Sequence, residues 1–152
     1  MITIGIRARP TDVVYAVVDT EDASVVNLDQ VVIPMAFDTP DALKYVRSNF
    51  LDIIREYGIQ RAGIRATEPN SQRMNINRIQ IEGVIIEAFA SSPLKGYYVG
   101  HIASIASRLG RTRTDLKPMI DGDVAYNVDG WADMSKEERE AVLCALGADN
   151  NA

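Results

Sequence analysis

The tripeptide Gly-Ile-Arg occurs twice in this chain, as Gly5-Ile6-Arg7 and Gly63-Ile64-Arg65, and each copy ends a short β-rich run. Two permanent cations therefore stand at two strand ends. An arginine there can pair with a carboxylate, or hold a phosphate through parallel N–H donors. Glu137 and Glu140, three apart on one face of a predicted helix, are the natural counter-ions. Glu137 has a plainer role too, since an acid in the first helical turn complements the dipole. Glu68, three residues past Arg65, and Asp12, just past the first run, are further acids near the strand ends.

Arg108, Arg111, Arg113 and Lys117 form a second basic group, read as a solvated helix end or a phosphate-contacting edge. His101 has no Cys, Asp or Ser partner at catalytic spacing, and a structural polar contact is expected. Asp121-Gly122-Asp123 lacks the other positions of a calcium loop. Trp131 is expected to plug the core beneath a long loop; an exposed Trp would instead mark a partner interface.

These residues belong to a chain of 152, with 47% hydrophobic and 24% charged side chains, enough for one continuous core. A single domain over residues 1–147 with a disordered tail at 148–152 is the expected organisation. No apolar run reaches the ~20 residues of a membrane span. Because a strand pattern begins at the first residues, no leader is expected. The lone Cys144 supports neither a disulfide framework nor a cysteine-rich metal site, so a reducing cytoplasmic setting follows. A formal charge of −5 weighs against a free-standing nucleic-acid binder, though not against a local basic groove.

The positioning elements can be read from periodicity and punctuation. Strands are predicted over 2–9, 13–19 and 25–33, the third irregular at 27–30 and stopped by Pro34. Tight turns between them make an antiparallel meander. Thr39 as N-cap, Pro40 in the first turn and Gly58 past the end frame a helix, with an apolar stripe from Leu43 to Tyr57. A buried strand follows at 61–66, and a helix between two strands implies a right-handed crossover and parallel pairing.

Residues 77–90 carry two apolar helical faces, Ile76, Ile79, Gly83, Ile86 and Ala90 on one, and Ile81, Val84, Ile85 and Phe89 on the other. A helix apolar on two sides must be covered twice. A second copy of the chain can supply the outer cover, as a homodimer through helix 76–89; the long loop with Trp131 is the competing cover. The alternation of Ile79 and Ile81 keeps a strand reading open, with helix favoured. A fifth strand at 96–100, a short helix at 102–109, a loop over 111–134 and a terminal helix opened by the Ser135/Glu138 capping box complete the chain.

The resulting order, β-β-β-α-β-α-β-α with a terminal helix, matches the α/β ribonuclease H-like fold: a mixed five-stranded sheet of three antiparallel strands followed by crossover helices. Within that fold the chain resembles the RuvC-type Holliday-junction resolvases. Thr3-Ile4-Gly5-Ile6 is similar to their first-strand entry, and Ala62-Gly63-Ile64 to the strand before their catalytic Glu. Gln80-Ile81-Glu82-Gly83-Val84 is similar to their helical Gln-x-x-Gly-Val. Glu137 and Glu140, just before Ala141, fall where the terminal helix of that family carries acids.

The resemblance implies two-metal phosphodiester chemistry, in which three or four carboxylates hold two divalent cations. Arg7 stands where the family has an Asp, and Arg65 where it has a Glu. A guanidinium ~5 Å from Mg²⁺ is repelled by roughly 6–7 kcal/mol at an effective dielectric of 20. That is comparable to the ~8 kcal/mol that holds a micromolar ion, and arginine cannot shed its proton in relief. The sequence-based expectation is thus a catalytically degenerate RuvC-like subunit, with no catalytic residue, no metal and no cofactor. Its degenerate site would comprise Arg7, Arg65, Glu137 and Glu140 in ion-pair contact. Its task would be binding, with a protein partner expected, nucleic acid an open option through phosphate contacts at Arg7, Arg65 or the 108–117 edge, and no membrane. Two alternatives stay open: a Mg²⁺- or Mn²⁺-dependent nuclease on a shifted acidic site of Glu68, Glu137, Glu140 and Asp12, and a structural homo-oligomer with no nucleic-acid role.

Overall fold

A computed structural model describes residues 1–149; residues 150–152 of the expected tail lie outside the described residues. Strands β1 (Ile2–Ala8), β2 (Asp12–Asp19) and β3 (Ser24–Val32) form the antiparallel meander. The irregularity in β3 is a register shift opposite Val17 and Val18, slightly before the predicted place. Helix α1 (Thr39–Glu56) crosses over to β4 (Arg61–Arg65), which pairs parallel with β1. Its N-cap is Asp38, not Thr39, because the Asp38 carboxylate accepts from the Asp41 amide while Pro40 occupies the first turn. Helix α2 (Ile76–Ala90), capped by Asn75, leads to β5 (Gly96–Gly100), parallel to β4. The result is one mixed five-stranded sheet of order β3-β2-β1-β4-β5, the ribonuclease H-like arrangement.

The remaining helices are α3 (Ile102–Arg108), α4 (Arg113–Asp121), a short 3-10 turn (Trp131–Asp133) and α5 (Lys136–Gly147), the last opened by the Ser135/Glu138 capping box. Helix α4 lies where a loop was expected. Thr112 caps it, Gly122 ends it in the left-handed region at φ +84°, and Leu116 and Ile120 bury its inner face. Pro118 inside the helix hid it from sequence reading.

Two cores sandwich the sheet. Ile4, Ile6, Ile64 and their neighbours pack against α1 and α2 on one face. Val14, Ala16 and Val18 pack against α3, α4 and α5 on the other, with Trp131. Trp131 is buried and donates its Nε1–H to the Met119 carbonyl at 2.9 Å, filling the core as expected. Its place across the sheet from α2 removes it as a cover for that helix. The outer face of α2 accordingly leaves Ile76 72% and Ile79 39% exposed, with open space beside Gly83. Ala148, assigned to the tail, is a buried cap of α5.

Candidate functional site: an arginine cluster at the ends of β1 and β4

The two Gly-Ile-Arg copies lie side by side, with Gly5 opposite Gly63 and Ile6 opposite Ile64. Alternation along a strand sends Ile6 and Ile64 to the α1–α2 core, and Gly5, Arg7, Gly63 and Arg65 to the α5 side. The glycines let α5 settle onto the sheet: a Cβ on Gly5 would sit 1.9 Å from the Ala141 carbonyl oxygen, and one on Gly63 would sit 2.4 Å from the Tyr98 ring. Tyr98 O–H and Thr3 O–H donate to the Cys144 and Ala145 carbonyls at 2.7 Å each, fixing the helix in place.

That docking carries Glu140 between the arginines. Glu140 is 2% exposed, and its Oε2 lies 2.8 Å from Arg65 Nε and 3.2 Å from Arg7 Nε. The Arg7 contact is an aligned hydrogen bond, whereas the Arg65 contact is close but bent. Both arginines also donate an Nη1–H to a neighbouring carbonyl, Ala8 for Arg7 and Ala66 for Arg65. Of the expected cluster of Arg7, Arg65, Glu137 and Glu140, the structure brings together Arg7, Arg65 and Glu140.

Glu137 stands apart. Although three residues from Glu140, it is half-exposed and forms no ion pair among the described residues. The cation it influences is Arg9, whose proton is held more firmly, first by its hydrogen bond to Asp12. Asp12 is clasped by both Arg9 Nε and Nη2, away from the cluster. Glu68 does join, 3.5 Å from Arg65 Nη2 and 3.7 Å from His101 Nδ1, while accepting from the Ile102 amide at 3.2 Å. The approach to His101 is beyond hydrogen-bond distance, and among the described residues His101 Nδ1 is buried without a hydrogen-bond partner.

Two further residues, overlooked in the sequence, complete the site. Arg78 and Glu82, on the first turns of α2, pair at 2.8 Å. Glu82 is buried and accepts from both the amide and the hydroxyl of Thr67, just past β4. Burial, then the nearby positive charge of Arg7, lowers the Arg78 pKa from its ordinary value, with Glu82 opposing. The i, i+4 spacing of Arg78 and Glu82 was the available signal.

The basic edge is divided. Arg108 stacks 3.8 Å over the Tyr98 ring and donates to the Gly147 carbonyl at 3.1 Å, an internal role. Arg111, Arg113 and Lys117 are exposed, the last two on α4.

Glu140 and Glu68 both face Arg65, and Asp12 belongs to Arg9. Among the described residues no group of three or more His, Cys, Asp or Glu is placed to hold a metal ion. No helix among the described residues is long and apolar enough to cross a membrane.

Comparison with solved structures bears on the fold. Thermus thermophilus RuvC superposes with a TM-score of 0.72 at 12% identity, covering 97% of this chain and 92% of that one. The fold is that of the RuvC resolvases. The same protein in complex with a Holliday junction substrate gives 0.69 at 13% identity, with 97% and 92% covered. The yeast mitochondrial Holliday junction resolvase Ydc2 gives 0.57 at 13% identity, covering 95% of this chain and 77% of that one. No protein-family model and no curated protein sequence matches the chain.

Proposed function

We propose that this chain is a non-catalytic RuvC-like subunit that acts by binding, within a cytoplasmic protein or protein–nucleic-acid assembly. The observation that carries the reading is Glu140 held between Arg7 and Arg65 at the ends of adjacent parallel strands. At this place, outside the carboxyl ends of the strands, open α/β sheets commonly bind their ligands. A carboxylate whose Oε2 faces two guanidiniums is a poor ligand for a cation, and neither guanidinium can be deprotonated to free it. Substituting Arg7→Asp together with Arg65→Glu removes both repulsions and returns two oxygen ligands beside Glu140 and Glu68. Calorimetric titration with Mg²⁺ and Mn²⁺ should detect binding to that double variant and none to the unmodified chain. Tight binding by the unmodified chain would overturn the reading.

Self-association through α2 belongs to the same proposal. Ile76, Ile79, Gly83, Ile86 and Ala90 form a stripe centred on Gly83, so an antiparallel copy related by a two-fold axis would set Ile79 against Ile86 and Ile76 against Ala90. The open space at Gly83 permits close helix approach. Sedimentation velocity should find a dimer that Ile79→Glu dissociates; a strict monomer at high micromolar concentration would refute it.

A further inference from the structure

Near the buried carboxylates of Glu140 and Glu82 the structure gathers three guanidiniums, from β1, β4 and α2, and not all of their buried donors find an aligned acceptor. Among the described residues Arg78 Nη2 is buried with no hydrogen-bond partner, and Arg78 Nε, although 2.8 Å from Glu82, is not aligned for a hydrogen bond. Glu82 cannot turn to meet them, because Thr67 N–H and Oγ–H already fix its oxygens. Glu68 is likewise anchored by the Ile102 amide, leaving Arg65 Nη2 at 3.5 Å, beyond a good hydrogen bond. A buried donor left unmatched is costly, more so when it is charged. Like charges held together add to that cost, and the depression of the Arg78 pKa by burial and by Arg7 reports the same crowding. Among titratable side chains facing this point, Arg7, Arg65 and Arg78 are cationic, and Glu68, Glu82 and Glu140 are already committed. An oxyanion with several lone pairs would satisfy it. The side chains of Arg7 and Arg78 retain 15% and 18% exposure, so the cluster meets solvent on their side.

We propose that Arg7, Arg65 and Arg78 form a phosphate-binding site that needs no divalent cation, filled by a phosphodiester of a nucleic-acid strand. It rests on the binding reading above and adds Arg78 as a direct contact. Guanidiniums suit the ligand, since their planar forks match two phosphate oxygens. They would supply in fixed form the positive charge that metal ions bring to a two-metal centre.

The test is fluorescence anisotropy with a labelled four-way DNA junction, in Mg²⁺ and in EDTA at matched ionic strength. The affinity should agree within about twofold between the two, and Arg78→Gln should weaken it about tenfold, with a log–log salt slope shallower by about 0.9. Arg78→Lys should keep the slope but recover only part of the affinity, because it restores charge without the fork. A parallel thermal-shift titration with inorganic phosphate should raise the Tm of the unmodified protein and not of Arg78→Gln, whose Tm without anion reports its folding. Junction binding that vanishes in EDTA, or that Arg78→Gln leaves intact, overturns this site while the binding reading stands. Absence of junction binding alongside an Arg78-dependent phosphate shift overturns the nucleic-acid source and keeps the anion site. Absence of both overturns the site altogether.

Discussion

Glu140→Gln removes one charge and almost no volume, and it isolates what the cluster does for the fold. In the native protein the Glu140 carboxylate faces guanidiniums at 2.8 and 3.2 Å. At an effective dielectric of 20 these contacts are worth about 6 and 5 kcal/mol of gross attraction. Much of that offsets the desolvation of three ions, so the pairs contribute little net. Breaking them is another matter, because Gln leaves two buried cations sharing one neutral oxygen. Glu68 at 3.5 Å and some entering water relieve Arg65 in part. The expected loss is about 3–5 kcal/mol, or a Tm fall of about 6–20 °C for a domain of this size. Urea denaturation followed by circular dichroism would measure it as a lowered midpoint at unchanged slope. A companion variant, Arg7→Met/Arg65→Met/Glu140→Leu, replaces the cluster by apolar volume and should be as stable as the native chain or more so. A Glu140→Gln protein within 1 kcal/mol of native would show that the guanidiniums escape to solvent, and the buried-cluster reasoning would fail.

Gly5→Ala should destabilise by 3 kcal/mol or more, since its Cβ would lie 1.9 Å from a backbone oxygen and the helix α5 would have to lift off the sheet; thermal melts would measure this, and a change under 1 kcal/mol would contradict it. Arg139 is buried with no carboxylate partner among the described residues and donates to the carbonyls of Trp131, Ile120 and Ala132 at 3.0–3.1 Å. Arg139→Ala should cost about 3–5 kcal/mol by unmatching three carbonyls, and Arg139→Lys should recover little, because an ammonium does not reproduce the spread, fixed donors of the guanidinium.

Much of the site was legible in the repeated tripeptide. Its glycines mark where α5 touches the sheet, its isoleucines fill one core, and its arginines follow on the other face. The terminal acids were less legible. An i, i+3 pair shares a broad helix face, but the docking of α5 turns only Glu140 inward and leaves Glu137 at the rim, something spacing alone cannot decide. Arg78 and Glu82 were hidden by the apolar character of α2, which draws attention to its isoleucines. Helix α4 was hidden by Pro118 and by having only Leu116 and Ile120 as buried residues. Arg139 was hidden for a different reason: a polar residue in the first turn of a capped helix reads as solvated, and nothing local signals three carbonyls arriving from α4 and the 3-10 turn.

Binding without cleavage can be measured by incubating the purified chain with end-labelled four-way junctions and single strands, in Mg²⁺ and in Mn²⁺. Products would be resolved on denaturing gels beside a mobility shift of the same samples. Retarded but intact DNA is expected under every condition. Metal-dependent strand cleavage by the unmodified chain, abolished by Glu140→Gln in a protein shown to remain folded, would contradict it.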